Sequence, residues 1–152
     1  MDQYEARIFN YLLRLTRNPH DAEDLTQVTF VKAYRNIHRY QPTYAFASWL
    51  FTIAKRTAFN HLRGSRPTEE IHEAIPSSAE DPGTILEKKD QNSSVWELAK
   101  KLKPKQYEAL WLRYSEGFSI LEIAEIMNTN QIHVKVLLHR ARKTLARFVR
   151  RH

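Results

Sequence analysis

Apolar residues recur at steps of three and four through the first 65 residues, which is the period of an α-helix with one buried face. This pattern predicts a helix ending near Thr16, a second opened by Asn18-Pro19, and a third ending at Gly64, with a loop from Arg39 to Ala45. The expected core positions are Tyr4, Ile8, Tyr11, Leu12, Leu15, Ala22, Leu25, Thr29, Phe30, Ala33, Tyr34, Ile37, Trp49, Leu50, Ile53, Ala54, Thr57, Ala58 and Leu62. The first unit is therefore predicted to be a three-helix bundle.

Four more stripes with the same period follow in residues 94–152. Pro104, Gly117 and the run Asn128-Thr129-Asn130 separate them. Their apolar positions are Val95, Leu98, Ala99 and Leu102, then Tyr107, Leu110, Trp111 and Tyr114, then Ile120, Ile123, Ala124 and Met127, and finally Val134, Leu138, Ala141, Leu145 and Phe148. Since no alternating run of β-branched residues accompanies them, the fold class is predicted to be all-α.

The stretch between the two helical regions is predicted to be a linker. It contains Pro67, Pro76 and Pro82, and each of these removes a backbone donor and restricts the residue before it, so a long helix cannot run through. A connection of about 30 residues is uncommon inside one compact domain. We therefore expect two small helical domains, 1–65 and 94–152, joined by a linker over 66–93.

Charge is distributed unevenly along the chain. The first 65 residues hold nine basic and five acidic side chains (+4), residues 66–93 hold three and seven (−4), and residues 94–152 hold twelve and five (+7). No acid lies between Leu25 and Ser65, and none follows Glu125. Either run alone could be a solvated helix face, but two basic runs on helices favour contact with the phosphates of a nucleic acid.

Composition excludes several classes of protein. The three glycines, Gly64, Gly83 and Gly117, lie too far apart for a phosphate-binding loop or a dinucleotide fingerprint, and a chain without cysteine has no thiolate nucleophile or cysteine-based metal site. No apolar run approaches the length of a membrane span, and the first residues lack the features of a signal peptide. We expect a cytoplasmic protein that is not an enzyme, has no cofactor and does not insert into a membrane.

Residues 120–138 fit a helix-turn-helix. Ala124 is small where two crossing helices approach, and Asn128 tolerates the left-handed conformation expected in the turn. With Val134 and Leu138 inward, the outer face of the last helix carries the polar and basic side chains that reading a major groove requires. These residues are Gln131, His133, Lys135, Val136, Arg140 and Lys143. An ordinary helical hairpin is the alternative.

Aromatic and basic residues alternate between Tyr40 and Arg63, a mixture suited to single-stranded DNA because rings stack on unpaired bases while cations hold the backbone. Trp49 and Ile53 are expected in the core. Tyr44 and Phe51 are the rings expected to be exposed.

Three segments carry a family resemblance. They are Asp21 to Tyr34 (DAEDLTQVTFVKAY), Phe46 to Ala54 (FASWLFTIA) and Val134 to Leu145 (VKVLLHRARKTL). In this order, and with a linker between them, they resemble the extracytoplasmic-function (ECF) sigma factors, the small group of the bacterial sigma-70 family. The resemblance covers nearly the whole chain. It implies a sigma-2 domain, a sigma-4 domain and a role as the promoter-specificity subunit of RNA polymerase.

The resemblance also implies binding partners and residues. The core polymerase would be bound through its beta-prime clamp and beta flap, and an anti-sigma factor would silence the protein. Clamp binding is assigned to Asp24, Gln27, Phe30 and Arg35. Binding of the minus-ten element, including a flipped base held by the loop from Gln41 to Ala45, is assigned to Tyr40, Gln41, Thr43, Tyr44, Lys55, Arg56, Asn60 and Arg63. The last helix would read the minus-thirty-five element, and the acidic linker would run through the RNA path of the polymerase.

Two departures from the family pattern bear on promoter preference. Ile132-His133 stands where the recognition helix usually begins with small residues, and Val136-Leu137 replaces a common Ser-Arg pair. Val136 is placed to touch a thymine methyl, whereas Leu137 lies nearer the buried stripe. The chain also begins almost directly in its first helix, so a short N-terminal piece common in the family is expected to be missing.

Two other functions account for only part of the sequence. A stand-alone helix-turn-helix regulator would explain residues 94–152 but leave the first unit without a task. A metal enzyme would rest on Glu69 and His72, which have Glu-x-x-His spacing but lie in the proline-broken linker without a second such pair.

Overall fold

The computed structural model describes residues 2–41, 45–64 and 93–150. These residues belong to two compact units, which are described separately below. The described residues contain helices and turns and no strand, which confirms the all-α prediction. The predicted linker up to residue 92 lies outside the described residues, so the domain boundaries at 65 and 94 stay predictions.

The first unit is the predicted three-helix bundle. Helix α1 spans Asp2–Thr16, α2 spans Pro19–Arg35 and α3 spans Phe46–Gly64, and a 3₁₀ turn, Ile37–Arg39, follows α2. Each of the three helices packs against the other two. The largest fully buried side chains of this unit are Ile8, Tyr11, Leu12, Thr29, Leu50 and Phe51.

Local chemistry explains where α2 begins. The Asn18 side chain accepts hydrogen bonds from the backbone N–H groups of His20 (2.9 Å) and Asp21 (3.1 Å), which have no partner inside the helix. Pro19 occupies the first helical position, where its missing N–H costs nothing. Asp21 then lies 3.3 Å from His61 Nε2 and so links the start of α2 to the end of α3.

Two of the predicted core residues of this unit are exposed. Tyr34 is 83% exposed and Ile37 is 48% exposed, although both were expected in the core. The buried stripe of α2 follows Ala22, Leu25, Thr29 and Ala33, so Tyr34 is rotated away from it, and the helix ends before Ile37.

Phe51, expected to be exposed, is fully buried against Tyr11 with ring centroids 5.1 Å apart. It precedes Ala54 by three positions and Ala58 by seven, so all three share the buried face of α3. Trp49 and Ile53, expected in the core, lie at the edge of this face and are half-buried.

The second unit contains four helices among its described residues. Helix α4 spans Ser93–Ala99, α5 spans Pro104–Leu110 and continues into a π-helical turn, Trp111–Ser115, α6 spans Ile120–Ile126, and α7 spans Gln131–Arg150. Helices α4, α5 and α6 all pack against α7. Two of the predicted stripe residues, Val95 and Tyr114, are exposed. Val95 lies in the first turn of α4, and the π-turn shifts the register of Tyr114 away from the stripe.

The turn between α6 and α7 has the predicted geometry. Asn128 adopts φ +57°, the left-handed conformation expected for the turn. Before it, Ser119 and Glu122 form a reciprocal capping box at the start of α6, and after it the Asn130 side chain accepts a hydrogen bond from the His133 N–H at 2.8 Å. Ala124, Val134 and Leu138 are buried where the two helices meet. Residues 120–138 therefore form a helix-turn-helix, with both helix starts fixed by side-chain caps.

Candidate nucleic-acid interface

A basic groove of about 360 Å³ lies between α2 and α3 of the first unit. Its lining residues are Lys32, Asn36, Arg39, Trp49, Ile53, Arg56, Thr57 and Asn60. The Lys32 Nζ is 3.5 Å from Thr57 Oγ1, which holds this cation at the groove. The lining contains three cationic side chains, two amides and no carboxylate. Such a surface favours the phosphate backbone of a nucleic acid.

The structure brings together only part of the predicted minus-ten set. Arg56 and Asn60 line the groove, whereas Lys55 is half-buried outside it and the Arg63 guanidinium lies over the Phe59 ring at 5.6 Å. Gln41 is exposed, and Thr43 and Tyr44 lie outside the described residues. Sequence reasoning did not assign Lys32 or Arg39 to this site, although both belong to the acid-free run that begins after Leu25.

An aromatic cluster lies beside this groove. Tyr40 packs on Phe46 and on Trp49, with ring centroids 5.5 and 5.3 Å apart, and Tyr4 of α1 packs edge-on against Phe46 at 5.3 Å. Tyr40 precedes residues 42–44 in the chain and Phe46 follows them. The two ends of the predicted base-binding loop are therefore anchored by mutually packed rings, and Trp49 connects the cluster to the groove lining.

The outer face of α2 has a different character. Asp24, Gln27 and Arg35 are exposed, as their assignment requires, while Phe30 is half-buried at the side of the helix. The same face exposes Val28, Val31 and Tyr34, which sequence reasoning did not assign to any surface. Their spacing of three places them opposite the buried stripe, a signal that was available in the sequence. Exposed apolar residues rimmed by polar ones are typical of a surface that binds another protein.

In the second unit, α7 exposes all six residues predicted for it. Gln131, His133, Lys135, Val136, Arg140 and Lys143 are exposed, whereas Leu137 is buried, as expected. Arg140 and Lys143 also line a groove of about 730 Å³. Its other cations are Lys101, Lys103, Arg147 and Arg150. Arg142, by contrast, donates to the Tyr114 hydroxyl at 2.9 Å.

Two further features bear on the metal-enzyme alternative and on membrane insertion. Within residues 2–41, 45–64 and 93–150, no three His, Asp or Glu side chains come together in a way that would hold a metal ion. Glu69 and His72 lie outside these ranges. Among the described helices, none is long and apolar enough to cross a membrane.

Comparison with known proteins agrees with this arrangement. Residues 1–68 match the model for Sigma-70 region 2, and residues 93–145 match that for Sigma-70, region 4. The RNA polymerase sigma factor YlaC of Bacillus subtilis is 34% identical, covering 94% of this chain and 86% of that protein. The ECF RNA polymerase sigma factor BldN of Streptomyces coelicolor is 33% identical over 97% of this chain, which spans 58% of the length of that relative.

A solved structure shows the same fold. The sigma factor RpoE of Bartonella quintana, crystallised with the anti-sigma factor NepR, superimposes with a TM-score of 0.72 at 21% identity, covering 97% of this chain and 92% of that one. The chain matches two family models in the expected order, and relatives at 30% identity or more match most of its length. It is therefore a member of the ECF group of the sigma-70 family.

Proposed function

We propose that this protein acts as the promoter-specificity subunit of a bacterial RNA polymerase and assists promoter opening. The observation that carries the proposal is the presence, in one chain, of two separate basic units of different design. One presents a groove beside clustered rings, and the other presents a helix-turn-helix with a cationic outer face. A stand-alone helix-turn-helix regulator would use only the second.

The outer face of α2 is the surface we assign to the beta-prime clamp. Asp24 and Gln27 are exposed there, next to the apolar side chains of Val28 and Val31. Burying such apolar residues supplies affinity, and the polar side chains fix orientation. Phe30, half-buried at the edge of this face, is better placed to support the helix than to contact the clamp.

The groove between α2 and α3 is the surface we assign to the opened minus-ten strand. Lys32, Arg39 and Arg56 would hold its backbone, and an unpaired base would enter the loop that Tyr40 and Phe46 anchor. Stacking of a base on an aromatic side chain is worth about 1 to 3 kcal/mol, which is enough to trap a base that has already left the duplex. Strand separation is thus stabilised by capture of the open strand and requires no catalytic group.

The helix-turn-helix is the surface we assign to intact duplex at the minus-thirty-five element. The exposed side of α7 would enter the major groove, with Gln131, His133 and Lys135 near its start. Arg140 and Lys143 lie further along the helix, where phosphate contacts would fix the register. The beta flap is the polymerase element we expect this unit to meet.

We infer a third partner and a cellular location from the family. The related RpoE was solved with an anti-sigma factor, and an anti-sigma chain that covers the outer face of α2 would block the clamp surface. Because core polymerase and promoter DNA are cytoplasmic in bacteria, the protein is placed in the cytoplasm. No cofactor and no enzymatic step enters this proposal.

Association with core polymerase tests the proposal. The wild-type chain is expected to co-purify with core polymerase and, with no other factor, to open a promoter bubble detectable by permanganate reactivity of unpaired thymines. Asp24→Ala/Gln27→Ala should weaken core binding at least about fivefold, the loss of an interface residue worth more than 1 kcal/mol. Gln3→Ala/Glu5→Ala, which likewise removes one carboxylate and one side-chain amide from exposed positions, here on α1, is the matched control.

Two results would contradict these assignments. Unchanged core affinity of the α2 variant, with its helical circular dichroism spectrum intact, would remove Asp24 and Gln27 from the clamp interface. Specific duplex binding by the isolated protein, without association with core polymerase, would instead indicate the stand-alone regulator.

A further inference from the structure

Two apolar side chains stand exposed at the start of the recognition helix α7. Ile132 is 74% exposed and Val136 is 36% exposed. They are four residues apart, so they lie one above the other on one face of the helix. This face is opposite Leu138 and Ala141, which are buried, and neither exposed residue contributes to the core.

Their position is set by the helix-turn-helix itself. The left-handed Asn128 directs the chain out of α6, and Asn130 caps α7 by accepting a hydrogen bond from the His133 N–H at 2.8 Å. Ile132 therefore lies within the first turn of a helix whose start is fixed. In helix-turn-helix proteins the residues near the start of the recognition helix are those that reach base edges.

The surroundings of this pair favour DNA over an apolar protein surface. Lys135, Arg140 and Lys143 are exposed on the same helix, and no acidic residue follows Glu125 in the chain. A surface of this charge attracts phosphates. Inside the major groove, the apolar group that a base edge offers is the C5 methyl of thymine.

We propose that Ile132 and Val136 together read two thymine methyls in the minus-thirty-five element, with Ile132 as a specificity-determining residue. This inference rests on the proposed function. Four residues of helix advance about 6 Å, and successive bases of one strand are about 3.4 Å apart. The two thymines should therefore lie about two base steps apart, on either strand.

The test begins with selection from duplexes carrying a randomised upstream element, using the full chain bound to core polymerase. Each thymine in the enriched sequence is then replaced by deoxyuridine, which removes only the methyl group. We expect a loss of about fourfold in affinity at each of two thymines, the value of one buried methyl group. In Ile132→Ala, one of these two effects should disappear, while Val149→Ala, which shortens another exposed side chain of α7, should retain both.

The outcomes separate this inference from the proposed function. Enrichment of a specific sequence supports the proposed function even if deoxyuridine has no effect, and that second result would overturn the methyl contacts. An Ile132→Ala variant that loses core polymerase but keeps its response to deoxyuridine would place Ile132 against protein and would also overturn the inference. Failure of the wild-type complex to enrich any sequence would refute the proposed function together with the inference drawn from it.

Discussion

Replacement of Arg140 and Lys143 by Gln should flatten the salt dependence of promoter binding. Both side chains are exposed on α7 and line the same cationic groove. Each cation that neutralises a DNA phosphate releases condensed counterions, and this release makes the affinity fall as salt rises. Gln keeps most of the side-chain length but removes the charge, so the counterion term is lost while the helix surface is retained.

The magnitude follows from the number of cations involved. If all six basic residues of the groove contacted phosphates, they would contribute about −5.4 to the slope of log affinity against log salt, at about −0.9 per phosphate. Removing two of them should reduce the steepness by about 1.8. When the salt concentration rises from 50 to 200 mM, the factor by which affinity falls should therefore be about 12 times smaller for the double variant than for the wild type.

Fluorescence anisotropy with a labelled duplex carrying the selected upstream element measures this slope for the complex with core polymerase. Arg142→Gln is the matched control, since Arg142 is also an exposed cation of α7 but donates to the Tyr114 hydroxyl at 2.9 Å. Its slope should stay near that of the wild type. If the double variant kept the wild-type slope, or if Arg142→Gln flattened it equally, the groove would not be the phosphate-binding surface.

Two further predictions concern the fold that supports these surfaces. Phe51→Ala should lower the free energy of unfolding of the first unit by about 3 to 5 kcal/mol, because a fully buried ring is removed. Phe59→Ala, at an exposed ring of the same helix, should lower it by less than about 1 kcal/mol. Similar losses for the two variants in urea unfolding would contradict the assignment of Phe51 to the core. Asn128→Val should destabilise the second unit by about 1 to 2 kcal/mol, because a β-branched side chain disfavours a φ of +57°, whereas Asn128→Gly should be nearly neutral. Equal thermal unfolding temperatures for the two variants would show that the turn does not require this conformation.

The sequence predicted much of this fold because helical periodicity and helix-breaking residues are local signals. Asn18-Pro19 defines the start of α2, and Asn128 adopts the conformation inferred from its residue type. Gly64 is the last residue of α3, as expected. Each of these positions depends on the chemistry of a few neighbouring residues, which the sequence displays directly.

The choice of buried face was harder, because an apolar residue beside a stripe is compatible with two rotations of the helix. In α3, one rotation turns Trp49 and Ile53 inward beside Leu50 and Ala54, and another turns Phe51 inward beside the same two residues. The structure has the second, which leaves Trp49 at the edge of the basic groove. Packing of Phe51 against Tyr11 of α1, a contact between residues distant in the chain, favours this rotation.

The two most exposed of the large apolar side chains that are described, Tyr34 and Ile132, both lie on surfaces assigned to partners. A helical unit of about 60 residues buries only part of its apolar surface on folding and is marginally stable. Leaving Tyr34 exposed in one unit and Ile132 exposed in the other therefore lowers the stability of each. That loss is tolerable if both side chains are buried in the assembled complex. Local rules of burial are most often broken at functional sites, and the two largest exceptions among the described residues lie on the outer face of α2 and at the start of α7. The exposed apolar residues therefore point to binding surfaces in both units, independently of the distribution of charge.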